Sequence, residues 1–172
     1  MKALGQCIRQ ASAAILFLGI AVLTARAQII PTNGQHRSAA AEPAVTFLFP
    51  EQVTVPAGKP SPVTLHFRVT QGLHINSHTP SDEYLIPTDF SIPEGSGVRL
   101  DAAAYPAGTS FALPADPKTH LSVYTGDFAI QARIVSVAGN HLVEAKLRYQ
   151  ACDQNQCLPP KTIDVPIDVV GK

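Results

Sequence analysis

The chain has 172 residues with 13 basic and 13 acidic side chains, and its first 27 residues read as a removable leader. The leader holds Lys2, Arg9 and Arg26 and no acidic residue, so its loss leaves 145 residues, 10 basic and 13 acidic side chains, and two of the three cysteines. A mildly acidic chain of that length excludes the basic footprint of a nucleic-acid-binding protein and is long enough for one domain with a real core. Trp is absent and all 15 prolines follow the leader, a composition that points to β structure rather than long helices.

In chain order, Lys2 and Arg9 precede an apolar stretch at 11–24, and Ala25-Arg26-Ala27 supplies the small-x-small pattern of signal-peptidase cleavage. The apolar run is shorter than the roughly 20 residues of a membrane-spanning helix; an uncleaved anchor is the alternative reading. No later segment is long and apolar enough to span a membrane. Export to the periplasm or beyond places Cys152 and Cys157 where disulfides form and persist. Residues 28–43 are polar and without period and are expected to be a flexible linker, which leaves 44–172 as the folded domain.

From Val45 the pattern changes to short alternating segments. Val63, Leu65, Phe67 and Val69 alternate with polar residues, as do Phe128, Ile130, Ala132 and Ile134, then Val143, Ala145, Leu147 and Tyr149, then Ile163, Val165, Ile167 and Val169. Period two buries one face of a strand and wets the other. Weaker strand candidates lie at 45–49, 52–55, 73–76, 89–92 and 98–102. Seven or more short strands between Gly, Pro and Asn signals predict an all-β, two-sheet sandwich. Ala138-Gly139-Asn140 predicts a tight hairpin between its flanking strands, and Pro166 predicts that the last strand is an edge. Residues 105–124, with Pro106, Gly108, Pro114 and Pro117, read as a long loop, either a lid over a site or a plain surface loop.

Cys152 and Cys157 flank Asp153-Gln154-Asn155-Gln156. Extended chain would hold them roughly 17 Å apart, whereas a disulfide needs Cα atoms closer than about 7 Å. Pairing therefore requires a turn, which the Asp/Asn/Gln composition suits. The spacing does not match the long-range staple of immunoglobulin domains. A six-residue loop stabilises by only about 2 kcal/mol, and a domain of this size does not evidently need it. Three readings stand at this point: a redox pair that exchanges through mixed disulfides, a plain structural disulfide, and a metal site using the thiolates with His74 and His78. The plainer account of those two histidines is that they are ordinary polar residues, and His36, His66, His120 and His141 are scattered singly.

Tyr149-Gln150-Ala151-Cys152, then Cys157-Leu158-Pro159-Pro160 and a Val/Ile strand, resembles the amino-terminal periplasmic domain of the thiol:disulfide interchange protein DsbD. Gly72-Leu73-His74-Ile75-Asn76-Ser77, Tyr84-Leu85-Ile86-Pro87-Thr88 and Leu121-Ser122-Val123-Tyr124-Thr125-Gly126 are similar to that family's landmarks, so the likeness spans about Val45 to Val169. The resemblance implies an immunoglobulin-like β-sandwich with the cysteines at one end and no cofactor. It implies that the reduced pair passes electrons to oxidised periplasmic proteins and is recharged by a thioredoxin-like donor. It assigns mixed-disulfide formation to Cys157 and resolution to Cys152, with His74, Asn76 and Tyr149 as neighbours. A nearby imidazole is then expected to take up or stabilise charge as a thiolate forms. The 105–124 stretch takes the place of the family's cap loop, with Phe111 as the shield, although the best-known acidic-aromatic cap sequence is not there. The spacing of four residues between the cysteines also departs from the five of the best-known members. The membrane and thioredoxin-like domains of full-length members have no counterpart in these 172 residues, so a separate reductant is expected.

Overall fold

A computed structural model describes residues 42–49, 52–114 and 116–172. The expected leader, and the linker up to residue 41, lie outside the described residues. Twelve strands follow one another: β1 (Val45–Leu48), β2 (Gln52–Val55), β3 (Ser61–Val69), β4 (His74–Asn76), β5 (Asp89–Ser91), β6 (Val98–Ala104), β7 (Thr109–Leu113), β8 (Asp116–Tyr124), β9 (Asp127–Ser136), β10 (Gly139–Tyr149), β11 (Ala151–Cys152) and β12 (Lys161–Gly171). No helix occurs among the described residues, and so none that is long and apolar enough to cross a membrane.

The strands form three four-stranded sheets in the orders β1-β3-β9-β6, β2-β12-β10-β5 and β11-β4-β8-β7. The first two are the halves of an immunoglobulin-like sandwich, and register explains why they close on each other. In the first sheet Phe67 lies opposite Phe128, Leu65 opposite Ile130 and Val63 opposite Ala132. In the second, Val143 faces Ile167, Ala145 faces Val165 and Leu147 faces Ile163. The apolar residues of both sheets thus fall on inner faces and merge into one buried cluster. Ile130, Phe67, Val143, Leu147, Val165 and Val169 are fully buried. At about 1.5–3 kcal/mol per buried large aliphatic or aromatic side chain, this core is the main source of stability. The third sheet is smaller and carries the cysteines.

Three expectations need correction. Residues 105–124 are not an irregular loop: β7 and β8 pair as an antiparallel hairpin, with Phe111 opposite Leu121. The first five residues of β8 are all exposed, so no buried face marks the strand in the sequence. Gly139 does not close a hairpin. It turns the chain at a φ of 114° from β9 in the first sheet to β10 in the second, and the hydrogen-bonded partners of both strands come from elsewhere. Finally, β12 is not an edge along its whole length. Pro166 pairs with Glu144 on one side, and the parallel pairing with β2 begins only at Asp168. The missing N–H of Pro166 therefore falls just before the two-sided stretch.

Candidate active site

The chain leaves the second sheet at the end of β10, passes Gln150, and enters the third sheet as β11. There Ala151 pairs with Ile75 and Cys152 with His74 of β4. After Asp153–Gln156 the chain returns, and Cys157 bridges back to Cys152. The Leu158 N–H donates to the Ala151 carbonyl at 2.8 Å. The two cysteines form a disulfide with Cα atoms 3.9 Å apart, so the turn required by the sequence exists. Its ends differ: Cys152 is 2% exposed, whereas Cys157 is exposed.

Asp153 organises the turn. Its Oδ1 accepts the backbone N–H groups of Asn155 at 2.7 Å and Gln156 at 2.8 Å, while its own N–H donates to the Gln156 carbonyl at 2.9 Å. Hydrogen bonds from these two N–H groups hold its carboxyl below the usual carboxylate range. The sequence indicated a turn here but no individual role for Asp153. The available signal was an Asp at the first turn position, where its side chain bonds to backbone two residues on.

His74 is 3% exposed. In an antiparallel pair, directly opposed residues share a face with Cβ atoms roughly 5 Å apart, so its ring lies on the Cys152 side of the sheet. Phe111 covers it, with ring centroids 4.2 Å apart and planes tilted by 31°. Burial pushes the imidazole pKa down from its ordinary value of 6.5, partly opposed by the Asp153 charge, so the ring is neutral at pH 7. Its Nε2 has no hydrogen-bond partner among the described residues.

Asn76, fully buried, ties three segments together. Its Nδ2 donates to the Ile86 carbonyl at 3.0 Å and to Gln150 Oε1 at 3.3 Å, and Gln150 Nε2 donates onward to the Leu158 carbonyl at 3.2 Å. A short amide chain thus runs from the 84–88 stretch to the residue after Cys157. In the sequence Gln150 stands only as part of a motif, and its linking role depends on contacts distant in sequence. Tyr149 sits within the sandwich core at 1% exposure, where burial raises its phenol pKa. His78 lies apart from His74: its Nδ1 is 2.9 Å from the Thr88 carbonyl and its ring stacks on Tyr105 at 3.7 Å. Among the described residues no group of three or more His, Cys, Asp or Glu side chains is placed to hold a metal ion. A groove of about 500 Å³ opens beside the pair, with Gly72, Leu73, His74, Phe111 and Gln154 in its walls.

The family described as "Thiol:disulfide interchange protein DsbD, N-terminal" matches residues 44–168, and the chain belongs to that family. Among solved structures, the reduced amino-terminal domain of DsbD from Neisseria meningitidis is similar at 16% identity and a TM-score of 0.45, covering 67% of this chain and 82% of that one. The amino-terminal periplasmic domain of ScsB from Proteus mirabilis is similar at 13% identity and a TM-score of 0.47, covering 72% of this chain and 43% of that one. No curated protein sequence gives a significant match.

Proposed function

We propose that this chain is a periplasmic thiol–disulfide exchange module of the protein-disulfide reductase type, with Cys157 as the contact sulfur and Cys152 as the resolving sulfur. Residues 1–27 serve as the export signal, 28–43 as a linker and 44–172 as the working domain. In the reducing direction, a Cys157 thiolate attacks a partner disulfide. One S–S bond breaks, a mixed disulfide forms, and the partner's first sulfur leaves as a thiolate. Cys152, losing its proton, then attacks Cys157, which releases the partner's second sulfur and closes the Cys152–Cys157 bond. The partner gains the two electrons that the pair gives up. A thioredoxin-like dithiol reverses the sequence to recharge the pair.

The observation that carries this reading is the unequal exposure of the two sulfurs, with Cys152 buried and Cys157 open to solvent. An incoming thiolate reaches Cys157 without displacing any strand and makes Cys152 the leaving group. His74, opposite Cys152 in the β4–β11 register and covered by Phe111, is the candidate to exchange a proton with Cys152 as it leaves or returns.

A Cys152→Ser variant leaves the mixed disulfide unresolved. Exposed to a periplasmic extract, it is expected to accumulate partner adducts through Cys157 that disappear on adding reductant. No adduct, together with a wild-type bridge that resists a thioredoxin system, defeats the proposal.

A further inference from the structure

We infer that Asp153 is a positioning residue that sets the redox equilibrium of the pair, because its side-chain acceptor keeps the Cys152–Cys157 turn closed when the disulfide is open. The inference rests on the exchange reading and deepens it. Reduction by a dithiol breaks one S–S bond in this chain and forms one in the donor; two electrons and two protons pass to Cys152 and Cys157, which become thiols. While the bridge exists, it closes the turn covalently. Once it is gone, closure depends on the hydrogen bonds that remain. The Leu158-to-Ala151 and Asp153-to-Gln156 backbone bonds span the turn, but the N–H groups of Asn155 and Gln156 are both satisfied by one atom, Asp153 Oδ1.

That arrangement matters because the disulfide equilibrium measures how often the two thiols meet, which is an effective concentration. A reduced turn that stays closed favours re-forming the bridge and makes the pair a stronger reductant. A turn that opens favours the dithiol. The two hydrogen bonds to Asp153 Oδ1 are solvent-exposed, so each falls in the lower part of the usual net range, and together they bias the closed-to-open ratio by roughly a factor of ten. For this two-electron couple, tenfold corresponds to about 30 mV. The side-chain oxygen rather than the charge is the working feature, since an amide oxygen at the same place accepts the same bonds.

The test is the equilibrium constant of the full chain against dithiothreitol and glutathione buffers for the wild type, Asp153→Ala and Asp153→Asn, with unfolding midpoints of both redox forms. Asp153→Ala is expected to be about tenfold easier to reduce and Asp153→Asn to stay within about threefold of wild type. Asp153→Ala should also lower the midpoint of the oxidised chain more than that of the reduced chain, because only the reduced turn escapes its loss by opening. An Asp153→Ala constant within twofold of wild type, with equal midpoint losses in both forms, reduces Asp153 to a structural cap and overturns the inference. So does an Asp153→Asn variant that behaves like Asp153→Ala. The exchange reading fails differently, through a wild-type bridge that stays oxidised in glutathione, and dithiothreitol buffers still report the Asp153 effect in that case.

Discussion

The two sulfurs of the reduced protein should differ sharply in their reactivity toward a small alkylating reagent. Cys157 is exposed and reacts at the rate of an open surface thiol. Cys152, at 2% exposure, reacts only when β11 lifts away from β4. That opening breaks the β4–β11 ladder, which includes the pairing of Cys152 with His74 and the backbone bond from Asn76 to Gln150 at 3.3 Å. At about 1 kcal/mol net for each bond, opening costs about 2 kcal/mol, and Cys152 is protected roughly thirtyfold. The neutral imidazole beside Cys152 gives its thiol no cationic help toward ionisation. The assay is a timed pulse of N-ethylmaleimide on protein reduced and freed of reductant, followed by an acid quench and digestion. Both cysteines lie on one tryptic peptide between Arg148 and Lys161, so fragmentation of the singly labelled peptide assigns the site directly. Equal labelling within threefold, or Cys152 labelled first, refutes the reasoning, because burial would then not decide which sulfur a partner meets.

Two further outcomes follow from the geometry. The His74 pKa lies below its ordinary value of 6.5 in the folded chain, so the unfolded state binds the extra proton first as pH falls. Stability is therefore expected to decline from about pH 6.5 downward and to level off once pH is below the folded pKa; His74→Phe should remove that component, which a comparison of unfolding midpoints between pH 7.5 and 5 detects. His74→Phe exchange rates that match wild type at every pH would exclude a role for the imidazole in charge transfer. Ile130→Ala, in the fully buried centre of β9 opposite Leu65, should cost about 2–5 kcal/mol in urea unfolding yet leave the equilibrium of the cysteine pair unchanged.

The parts of the fold that were legible in the sequence are those in which one strand face is buried. β3 alternates buried and exposed at every position, and its apolar residues say so without help. β8 begins with five exposed residues and carries Pro117, so its strand character comes from pairing with β7 and β4 and leaves no hydrophobic period behind. The turn at Gly139 was visible, but its two strands join different sheets, and a local signal cannot reveal which distant strand each one pairs with. At the site, the cysteine spacing demanded a turn, and the structure supplies it. The resemblance pointed to His74 and Asn76, and the β4–β11 register explains the first through its pairing with Cys152. Tyr149 belongs to the same motif as Cys152, yet it serves the core. Asp153 and Gln150 act through hydrogen bonds fixed only once the chain has folded, which is why their contributions were not readable from composition or spacing.

The placement of the disulfide suits the electron-carrying role proposed above. A carrier spends part of each cycle without its cross-link and has to remain folded in that state. A staple joining the two main sheets would be part of what holds the sandwich together, and its reduction would loosen the whole core. Here the bridge closes only the turn after β11, in a third sheet that lends Ile75, Tyr124 and Ala151 to the core but whose two sulfurs join no two sheets. Its contribution as a cross-link is about 2 kcal/mol, small against the burial of the β3, β9, β10 and β12 inner faces. The same placement makes the two sulfurs unequal, because Cys152 is drawn into pairing with β4 while Cys157 is left on the returning segment before β12. Under the proposed function, a bridge that closes only a local turn can be reduced without parting the main sheets, and attachment to β4 leaves Cys157 as the sulfur a partner meets.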